Sequence, residues 1–396
     1  MKILMVLDEE FPPDVRVEKE INALQSAGHT VHLLCYSRAG RSEAISQNGI
    51  KIFRIPISPL HYKFKALALQ LPFYFKYWKK HIRQLLEKES YDVIHFHDLP
   101  LAEVCITLGR ENGIPVVGDY HENRPEIMKF YHHVRSFPGN VLISVKKWAA
   151  YQAKYTRLLD HLILVTPEAK DYYSGHYGVE EDKITVVENF PDLNELLHYE
   201  ADESIQRKYK GKKMLIYFGD TGLRRGTGTI LEAAIRLKDN PEYCFVIIGS
   251  SREQNTLLDM KDRNGLHNVE LTGILSLREA VSYFRSAFAG LCPLLRNIHH
   301  DTTYANKLFQ YMAFGLPVVV SNCTAQEAVV RDAACGLVHE AGDADDLVKK
   351  IGMLSKGDVW GEMSINAEKA VKINYNFTVA GKKLLNLYDA INNEHY

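Results

Sequence analysis

The chain has 396 residues, 46% of them hydrophobic and 24% charged, which is enough for two globular domains with separate cores. The 48 Lys and Arg residues nearly balance the 49 Asp and Glu residues, so the overall charge does not indicate a nucleic-acid partner. No apolar stretch reaches the roughly 20 residues of a membrane span, and the apolar start at residues 2–7 is too short for a signal peptide. Six cysteines without a Cys-x-x-Cys pair favour buried thiols in a reducing compartment, so we expect a cytoplasmic protein.

Strand-like and helix-like segments alternate along almost the whole chain, which is typical of parallel sheets covered by helices on both faces. The pattern predicts an α/β protein with two Rossmann-like, doubly wound domains, residues 1–192 and 205–375, separated by a polar passage without clear periodicity up to residue 213. In such folds ligands bind at the carboxyl ends of the strands. The predicted strands are residues 3–7, 31–36, 50–57, 93–96, 115–117, 162–165 and 184–187, then 214–218, 245–249, 269–271, 290–293, 318–320 and 336–339.

The loop after the first strand, residues 8–17, is acidic and proline-bearing and leads into a helix. Asp14 is placed to accept hydrogen bonds from the free N–H groups at the helix start, and Arg16 lies in the first turn. Two interpretations are open: a helix cap beside a surface arginine, or two side chains with a binding role.

Residues 63–86 interleave aromatic and aliphatic side chains with lysine and arginine, and Pro72 interrupts any helix there. Such a segment is typical of peripheral contact with anionic membrane lipid, and a substrate would then be lipid-linked. It is equally typical of a core element whose lysines extend to the surface. Stacking of single-stranded nucleic acid on these rings is a weaker interpretation, because no second basic region supports it.

Two histidine-containing clusters raise the question of a metal site. His95, His97 and Asp98 end the fourth predicted strand, where alternation puts both histidines on one face. The second cluster, residues 299–301, is His-His-Asp in a loop, and neither cluster has the spacing of a known metal motif. We therefore predict no metal.

The tetrapeptide Asp119-Tyr-His-Glu122 directly follows the predicted strand 115–117 and so lies at the carboxyl edge of a sheet. A single histidine after a strand is commonly structural. At this edge, however, His121 is also placed to contact a ligand, which makes it a candidate site residue.

A glycine-rich loop, residues 219–228, connects a buried strand to a helix in the second half. Its glycines let backbone N–H groups approach an anion, and the helix start adds a favourable dipole. Arg224 and Arg225 add positive charge that suits a diphosphate. The alternative interpretation is a solvated turn with incidental arginines.

Residues 306–321 predict a helix, a tight turn and a buried strand. Gly315 can adopt the left-handed conformation that ends a helix, and Pro317 prevents the helix from continuing. The following run, residues 318–320, is apolar without alternation, as expected of a strand covered on both faces. A lysine at a helix start can help to bind an anion. Three polar side chains lie near this helix start: Asn306, Lys307 and Gln310.

This segment closely resembles the form KLFEYMA-x-G-x-PVV of the family-4 glycosyltransferases, which have the two-domain GT-B fold. The Asp-x-His-Glu element at 119–122 and the Phe-Pro-Pro-Asp-x-Arg-Val element at 11–17 resemble two further elements of the family, in the same order. The resemblance implies a retaining hexosyltransferase that moves a sugar from a nucleotide diphosphate sugar to a hydroxyl of a glycan or lipid-linked acceptor, in surface polysaccharide or glycoconjugate synthesis. It also implies that no metal or cofactor is needed, that the domains face a cleft, and that the helix within 376–396 packs back on the first domain.

The resemblance also implies roles for individual residues. His121 would lie beside the transferred sugar, and Arg225 and Lys307 would stabilise the diphosphate as it leaves. Gln310 would contact the nucleoside, and Asp14 and Arg16 would contact the acceptor. The implied substrate-binding residues are Asp14, Arg16, Glu122, Gly222, Arg224, Thr302, Asn306 and Gln310.

The sequence departs from the family pattern on the donor side. Thr302 and Gln310 stand where the family has a pair of glutamates, and Asp220 occupies the region of a cation. Gln310 keeps an acceptor and adds donors, so a hydrogen bond to ribose remains feasible.

The departures leave a rival function open, a degenerate GT-B protein that binds a partner without catalysis. A nucleotide-sugar epimerase fits the two-domain plan but not the two quoted motifs. A dehydrogenase would need Gly-x-Gly-x-x-Gly after its first strand, where this chain has residues 8–14 instead.

Overall fold

The structure is a computed structural model that describes residues 1–37, 44–45, 49–58 and 65–394. The chain forms two compact units. One consists of Met1–Glu188 together with Ala380–Tyr396, and the other of Asn189–Val379.

The first unit is built on an eight-stranded sheet in the order β3-β4-β2-β1-β5-β6-β7-β8. Every neighbouring pair is parallel except β3 and β4, which are antiparallel. Helices cover the sheet, so the central strands read as continuous apolar runs. The strands are β1 (Lys2–Glu10), β2 (Thr30–Ser37), β3 (Ala44–Ile45), β4 (Lys51–Pro56), β5 (Val93–His97), β6 (Val116–Tyr120), β7 (His161–Leu164) and β8 (Ile184–Val186).

The helices of the first unit include the last helix of the chain. Its Tyr388 is buried, and the Tyr388 hydroxyl lies 2.7 Å from Nδ1 of His95 on β5. The helices are α1 (Val15–Ser26), α2 (Phe73–Leu86), α3 (Ala102–Asn112), α4 (Arg124–Met128), α5 (His132–Arg135), α6 (Gly139–Leu142), α7 (Val145–Thr156), α8 (Pro167–Tyr177) and, at the chain's end, α19 (Phe377–Glu394).

The second unit has a six-stranded, all-parallel sheet in the order β11-β10-β9-β12-β13-β14. Its strands are β9 (Lys213–Phe218), β10 (Tyr243–Ile248), β11 (Val269–Gly273), β12 (Ala289–Cys292), β13 (Val318–Ser321) and β14 (Gly336–His339). Its helices are α9 (Leu193–His198), α10 (Glu203–Lys208), α11 (Thr227–Arg236), α12 (Gln254–Arg263), α13 (Leu277–Phe284), α14 (Ile298–Asp301), α15 (Asn306–Ala313), α16 (Thr324–Ala333), α17 (Ala344–Leu354) and α18 (Val359–Ile373).

The predicted fold class, two doubly wound parallel-sheet domains, is confirmed, and each predicted strand has an observed counterpart. The polar passage before residue 213 differs from the prediction, because it contains the short helices α9 and α10. Each begins at an aspartate, Asp192 or Asp202, whose carboxylate accepts hydrogen bonds from N–H groups of the first turn. Local capping therefore supplies the helix start that hydrophobic periodicity does not signal.

The predicted helix, turn and strand of residues 306–321 are confirmed. Helix α15 ends before Gly315, which has a φ of 65°, and β13 follows directly. Tyr311 of α15 fixes the helix to the sheet, since its hydroxyl accepts a hydrogen bond from the backbone N–H of Phe218 at 2.8 Å. This hydrogen bond connects the second half of α15 to the end of β9.

The described part of the basic, aromatic segment is a core element. Lys63 and Phe64 lie outside the described residues, and α2 begins after Pro72. The apolar side of α2 is buried in the core of the first unit, and the indole N–H of Trp78 donates to the Tyr36 hydroxyl at 2.9 Å. The buried side chains are Tyr74, Phe75, Trp78, Ile82 and Leu85.

All six cysteines carry free thiols, and five of them are buried, as the sequence predicts. Within the described residues, no helix has both the length and the apolar character that crossing a bilayer demands.

We predict that Gly290→Ala destabilises the second unit. An alanine Cβ at this β12 position would lie only 2.1 Å from the ring of buried Tyr311. Overpacking of this kind costs typically about 1–3 kcal/mol, so the midpoint of thermal unfolding should fall. Gly352→Ala is the matched control, because nothing lies within 4 Å of its Cβ position on α17 and helix propensity favours alanine there. An unchanged midpoint in Gly290→Ala would contradict the described packing of Tyr311.

Candidate active site

The first part of the candidate site is a buried ion pair at the start of α1. Asp14 is the predicted cap, and its Oδ1 accepts the N–H groups of Arg16 and Val17 at 3.1 Å each. Arg16 is only 5% exposed. Its Nε and Nη2 donate to the two carboxylate oxygens of Asp119 at 3.1 and 2.8 Å, and its Nη1 donates to the Val187 carbonyl at 3.0 Å. The surface interpretation of Arg16 is therefore wrong, since the guanidinium holds Asp119 from inside the unit.

His121 follows at the carboxyl end of β6, where Asp119 and His121 are two residues apart. Its Nε2 lies 3.2 Å from Asp119 Oδ2 and 3.3 Å from Nδ1 of His97 on the neighbouring strand β5. The His121 side chain keeps 24% exposure, whereas His97 and Asp119 are fully buried. The Nε2 of His121 is thus held by the protein, and the side chain remains partly exposed.

The charges around His121 favour its protonated form. Burial lowers the pKa of His121, but the carboxylates of Asp119 and Asp98 outweigh it and raise the pKa to about 9. Burial alone would raise the pKa of Asp119, but Arg16 and His121 hold it well below its usual range. At neutral pH the pair is therefore an imidazolium beside a carboxylate, and the imidazolium can donate a hydrogen bond to a ligand oxygen.

Asp98 contributes a second carboxylate in a strained backbone conformation. It has a φ of 67° and a ψ of 150°, a region that side-chain-bearing residues rarely occupy. Its N–H donates to the Asp119 carbonyl at 2.8 Å, and its Oδ2 lies 3.9 Å from Nδ1 of His121. This distance exceeds a hydrogen bond, so the Nδ1–H of His121 is not held tightly by Asp98.

The histidine cluster differs from the one predicted, because Asp98 is not part of it. Instead Glu20, His95, His97 and Asp119 each present one ligand-type atom, all within 4.8 Å of one another and all buried. The Arg16 guanidinium lies 3.0 Å from Glu20 and also binds Asp119, so it already supplies positive charge to both carboxylates. This arrangement accounts for the buried carboxylates as an ion-pair network. The absence of a metal stays a prediction.

Glu122, predicted to bind substrate, lies beside His121 and contacts neighbours within the unit. Its carboxylate is 3.3 Å from the Tyr131 hydroxyl and 3.9 Å from the Arg124 guanidinium. Burial raises the pKa of Glu122, against the lowering effect of Arg124.

In the second unit, the predicted glycine-rich loop leaves β9 and passes through one 3-10 turn, Leu223–Arg225, into α11. Gly226 caps α11 with a φ of 80°, and a Cβ there would lie 1.7 Å from the Pro293 carbonyl oxygen. Only glycine can therefore place the loop this close to the end of β12. The free N–H groups of the α11 start lie next to the two arginines of the loop.

Lys307 of α15 lies against the first glycine of this loop. Its Cε and Nζ lie 3.5 Å from the Cβ position of Gly219, and Nζ is 3.6 Å from the centre of the Tyr217 ring. Burial lowers the pKa of Lys307 to about 7, and the nearby charge of Arg225 adds to this effect. A bound anion would restore the charged form, since an opposite charge favours it.

The carboxylate of Asp220 contacts hydrogen-bond donors of the same loop. Its Oδ1 accepts from the Gly222 N–H at 3.0 Å, while Oδ2 lies 3.0 Å from Nη2 of Arg224 and 3.6 Å from Nε of Arg225. The loop therefore has the backbone and guanidinium donors of an anion site, arranged around an internal carboxylate.

His300 contacts the Arg224 guanidinium through its imidazole. Its Nδ1 lies 2.7 Å from the Leu295 carbonyl, and its Nε2 lies 3.4 Å from Arg224 Nη1. Burial lowers the pKa of His300 to about 4, so the imidazole is neutral at physiological pH. With its Nδ1–H donated to the carbonyl, Nε2 is the acceptor for the guanidinium.

Thr302 and Gln310 stand where the family has its glutamate pair. Thr302 directly follows α14, and Gln310 lies on α15. Thr302 is buried, and its hydroxyl donates to the Ile298 carbonyl at 2.7 Å. Asp301, a possible substitute for the missing carboxylate, accepts from the Thr324 N–H at 2.9 Å. Asn306 is exposed and Gln310 half-buried on the first turns of α15, which is where the sequence places them.

Two family models match the chain. Glycosyltransferase Family 4 matches residues 15–195, and Glycosyl transferases group 1 matches residues 212–356, so the two together span most of both units. The chain belongs to the family-4 glycosyltransferases. The expected family and GT-B class are thereby confirmed.

Curated relatives of this glycosyltransferase are distant but nearly full-length. It is 24% identical over 328 residues to the UDP-Gal:alpha-D-GlcNAc-diphosphoundecaprenol alpha-1,3-galactosyltransferase of Escherichia coli, covering 77% of each chain. It is 21% identical over 359 residues to a D-inositol 3-phosphate glycosyltransferase of Nocardiopsis dassonvillei, covering 86% of this chain and 80% of that one.

Solved structures show the same fold at low sequence identity. Sucrose-phosphate synthase from Thermosynechococcus elongatus aligns with a TM-score of 0.78 at 15% identity, over 99% of both chains. The Anabaena protein HepE in complex with UDP aligns with a TM-score of 0.73 at 14% identity, over 98% of this chain and 100% of that one.

Three residues that contact the candidate site residues are not among those that the sequence predicts: Asp98, Asp119 and Asp220. In the sequence Asp119 stands out only as part of a motif, although a buried aspartate two residues before a histidine demands a cationic partner. Asp98 was considered only as a metal ligand, and Asp220 only as a departure from the family. The sequence signal for Asp220 is its position two residues before a loop glycine, where a short acidic side chain readily accepts the backbone N–H.

We predict that His121 of the wild-type enzyme titrates near pH 9 and that Asp119→Asn moves its pKa down towards the usual value of about 6.5. Since the folded pKa lies above the unfolded one, the stability due to His121 protonation is complete below about pH 6.5 and is lost as pH rises through about 9. Histidine NMR titration measures the change. His300, which lies in the other unit and whose pKa burial lowers to about 4, is the internal control. A wild-type His121 pKa near 6.5 would contradict the ion-pair geometry.

Proposed function

We propose that this glycosyltransferase moves a sugar from a nucleotide diphosphate sugar to a hydroxyl of a glycan or lipid-linked acceptor, with retention at the anomeric carbon and without a metal. The pathway we propose is synthesis of surface polysaccharide or glycoconjugate at the inner face of the membrane, with the enzyme in the cytoplasm and peripherally attached. HepE, a structural neighbour, was solved with UDP and with UDP-glucose, which supports a donor of this class.

The observation that carries the proposal is the group of three cations around one glycine loop. Arg224 and Arg225 lie in the turn before α11, and Lys307 contacts Gly219 at its beginning. Negative charge grows on a diphosphate as the sugar leaves, so fixed cations here stabilise the transition state more than the ground state. In the proposal Arg225 and Lys307 stabilise the leaving diphosphate. Three further residues of the site also bind it: Arg224, Gly222 and Asn306.

The proposal places His121 beside the transferred sugar. Its Nδ1–H is the donor that Asp98 does not hold, and its Nε2 is fixed by Asp119. Arg16 acts on the sugar through Asp119, since its side chain is buried, whereas Asp14 borders the acceptor and Glu122 the sugar. We assign no carboxylate as a nucleophile, and we propose that the departing phosphate helps to deprotonate the acceptor.

The nucleoside side is where this chain differs most from its family. Gln310 would bind the ribose hydroxyls as a neutral donor and acceptor. Thr302 would approach the sugar only through its methyl group and shared hydroxyl, because the hydroxyl donates to a helix carbonyl. These differences favour one alternative, a GT-B protein that binds a partner and has lost turnover.

We predict that one of the UDP-, GDP-, ADP- or dTDP-sugars raises the melting temperature and is slowly hydrolysed, and that Arg225→Ala reduces both effects. Loss of a charged hydrogen bond costs about 1.5–3 kcal/mol, so the affinity should fall by about tenfold or more. His121→Ala should lower hydrolysis with less effect on nucleotide binding, because the imidazole belongs to the sugar side. Thermal shift and product analysis measure both.

Arg263→Ala is the matched control for the loss of an arginine, since Arg263 is 80% exposed on α12. Its affinity should equal that of the wild type. If no nucleotide sugar stabilises the wild type, while a protein partner binds tightly, the non-catalytic alternative replaces the transferase.

We also predict that Asp220→Asn tightens the binding of UDP and of inorganic pyrophosphate by roughly three- to tenfold, because it removes a negative charge from the centre of the anion site. Isothermal titration calorimetry measures the affinity. Asp259→Asn is the control, since Asp259 is a 68% exposed carboxylate on α12. Weaker binding in Asp220→Asn would mean that the carboxylate orients the arginines more than it competes with the ligand.

A further inference from the structure

The first unit exposes a cluster of apolar side chains in the segment between α5 and α7. Phe137 is 84% exposed, Val141 75% and Leu142 48%. We call these three side chains the apolar patch. Large apolar side chains grouped in this way on a surface commonly mark an interaction site.

The apolar patch is a built feature of the fold. Val134 and Ile143 on either side of it are buried in the core of the first unit. The Ile143 N–H donates to the Gly139 carbonyl at 2.7 Å, and a Cβ on Gly139 would lie 1.7 Å from the His133 carbonyl oxygen. The tight pairing of α5 and α6 therefore holds Phe137 and Val141 outward while their neighbours are anchored inward.

The surroundings of the patch are positively charged. No aspartate or glutamate occurs between Glu126 and Asp160, and that interval contains six lysine and arginine residues. Three of these cations are exposed within a few residues of the patch, and we call them the basic rim: Arg135, Lys146 and Lys147. An apolar surface whose neighbours along the chain include exposed cations and no carboxylate matches the interface of a membrane with anionic lipid, which accepts apolar side chains and attracts positive charge.

We propose that the apolar patch and its basic rim are the surface by which this glycosyltransferase binds an anionic membrane. The proposal rests on the proposed function in that a lipid-linked acceptor requires access to a bilayer. It relocates the membrane contact from the predicted segment 63–86, because the apolar side of α2 within that segment is buried in the core. Phe137 and Val141 enter the headgroup region, and Lys146 and Lys147 lie against lipid phosphates.

The test is co-sedimentation of the full chain with vesicles, in the absence of nucleotide. We expect the wild type to bind vesicles of 70% phosphatidylcholine and 30% phosphatidylglycerol and to bind pure phosphatidylcholine at least tenfold more weakly. Phe137→Ser/Val141→Ser and Lys146→Glu/Lys147→Glu should each reduce the partition coefficient about tenfold, and 0.5 M salt should do the same to the wild type.

Two matched variants test whether the location matters. Ile365→Ser/Ile373→Ser removes two exposed apolar side chains of α18, which are 69% and 57% exposed, and Lys349→Glu/Lys356→Glu reverses two exposed lysines of the second unit. Both should bind vesicles like the wild type. Far-UV circular dichroism and the melting temperature verify that each variant is folded.

Phe137→Trp gives a readout that keeps the patch apolar. Its added fluorescence should shift to shorter wavelength on vesicle binding and be quenched by brominated lipid. Wild type that stays in the supernatant, or patch and rim variants that bind like the controls, overturns the proposal. So does self-association through the patch, seen as a dimer in sedimentation velocity that Phe137→Ser/Val141→Ser abolishes. Donor binding is measured separately without lipid, so failure of the membrane surface and failure of the transferase activity are distinguishable.

Discussion

The ion pair between Arg16 and Asp119 is the interaction on which the candidate site residues of the first unit depend. It joins the first turn of α1 to the end of β6 across 103 residues of sequence. A lone buried carboxylate would be strongly destabilising, and the bidentate guanidinium makes it tolerable. Because Asp119 stays ionised, its carboxylate can accept a hydrogen bond from His121 and raise the pKa of that imidazole. The charge of the exposed His121 is thus determined by an arginine with almost no exposure of its own.

The donor half uses charge in the opposite way. Around Gly219 the cations are in excess, and the resident carboxylate of Asp220 partly balances them. The Asp220 side chain is 42% exposed, so a ligand or water can replace its contacts at little desolvation cost. Lys307, by contrast, is half-buried against Tyr217, and burial lowers its pKa to about 7, so a bound anion would favour its charged form. In the proposed function, the loop would combine preformed donors with charges that adjust to a diphosphate.

The sequence predicts features that depend on neighbours in the chain and fails where distant residues decide. The cap at Asp14, the end of α15 at Gly315 and the alternation of strands and helices all follow from local rules, and all are found. The destination of the Arg16 side chain does not follow, because Asp119 and Val187 come together only in the folded sheet. The same limit applies to α2, whose amphipathic pattern is equally compatible with lipid and with a core. The packing of Trp78 against Tyr36 distinguishes them, and that contact joins residues 42 positions apart.

The two halves should therefore respond differently to substitution. Arg16, Asp119 and Glu20 form one buried ion-pair network, in which removal of Arg16 leaves the Asp119 carboxylate without compensation, so we expect activity and stability to fall together. Arg225 and Asp220 are partly exposed, and their replacement changes affinity for an anion while the core of α11 and β9 is unaffected. His121 lies between these cases, since its Nε2 contacts buried Asp119, its side chain is partly exposed, and its Nδ1 lies 3.9 Å from Asp98. A substitution that keeps the Nε2 contact while altering Nδ1 would isolate the chemical role of the imidazole from its structural one.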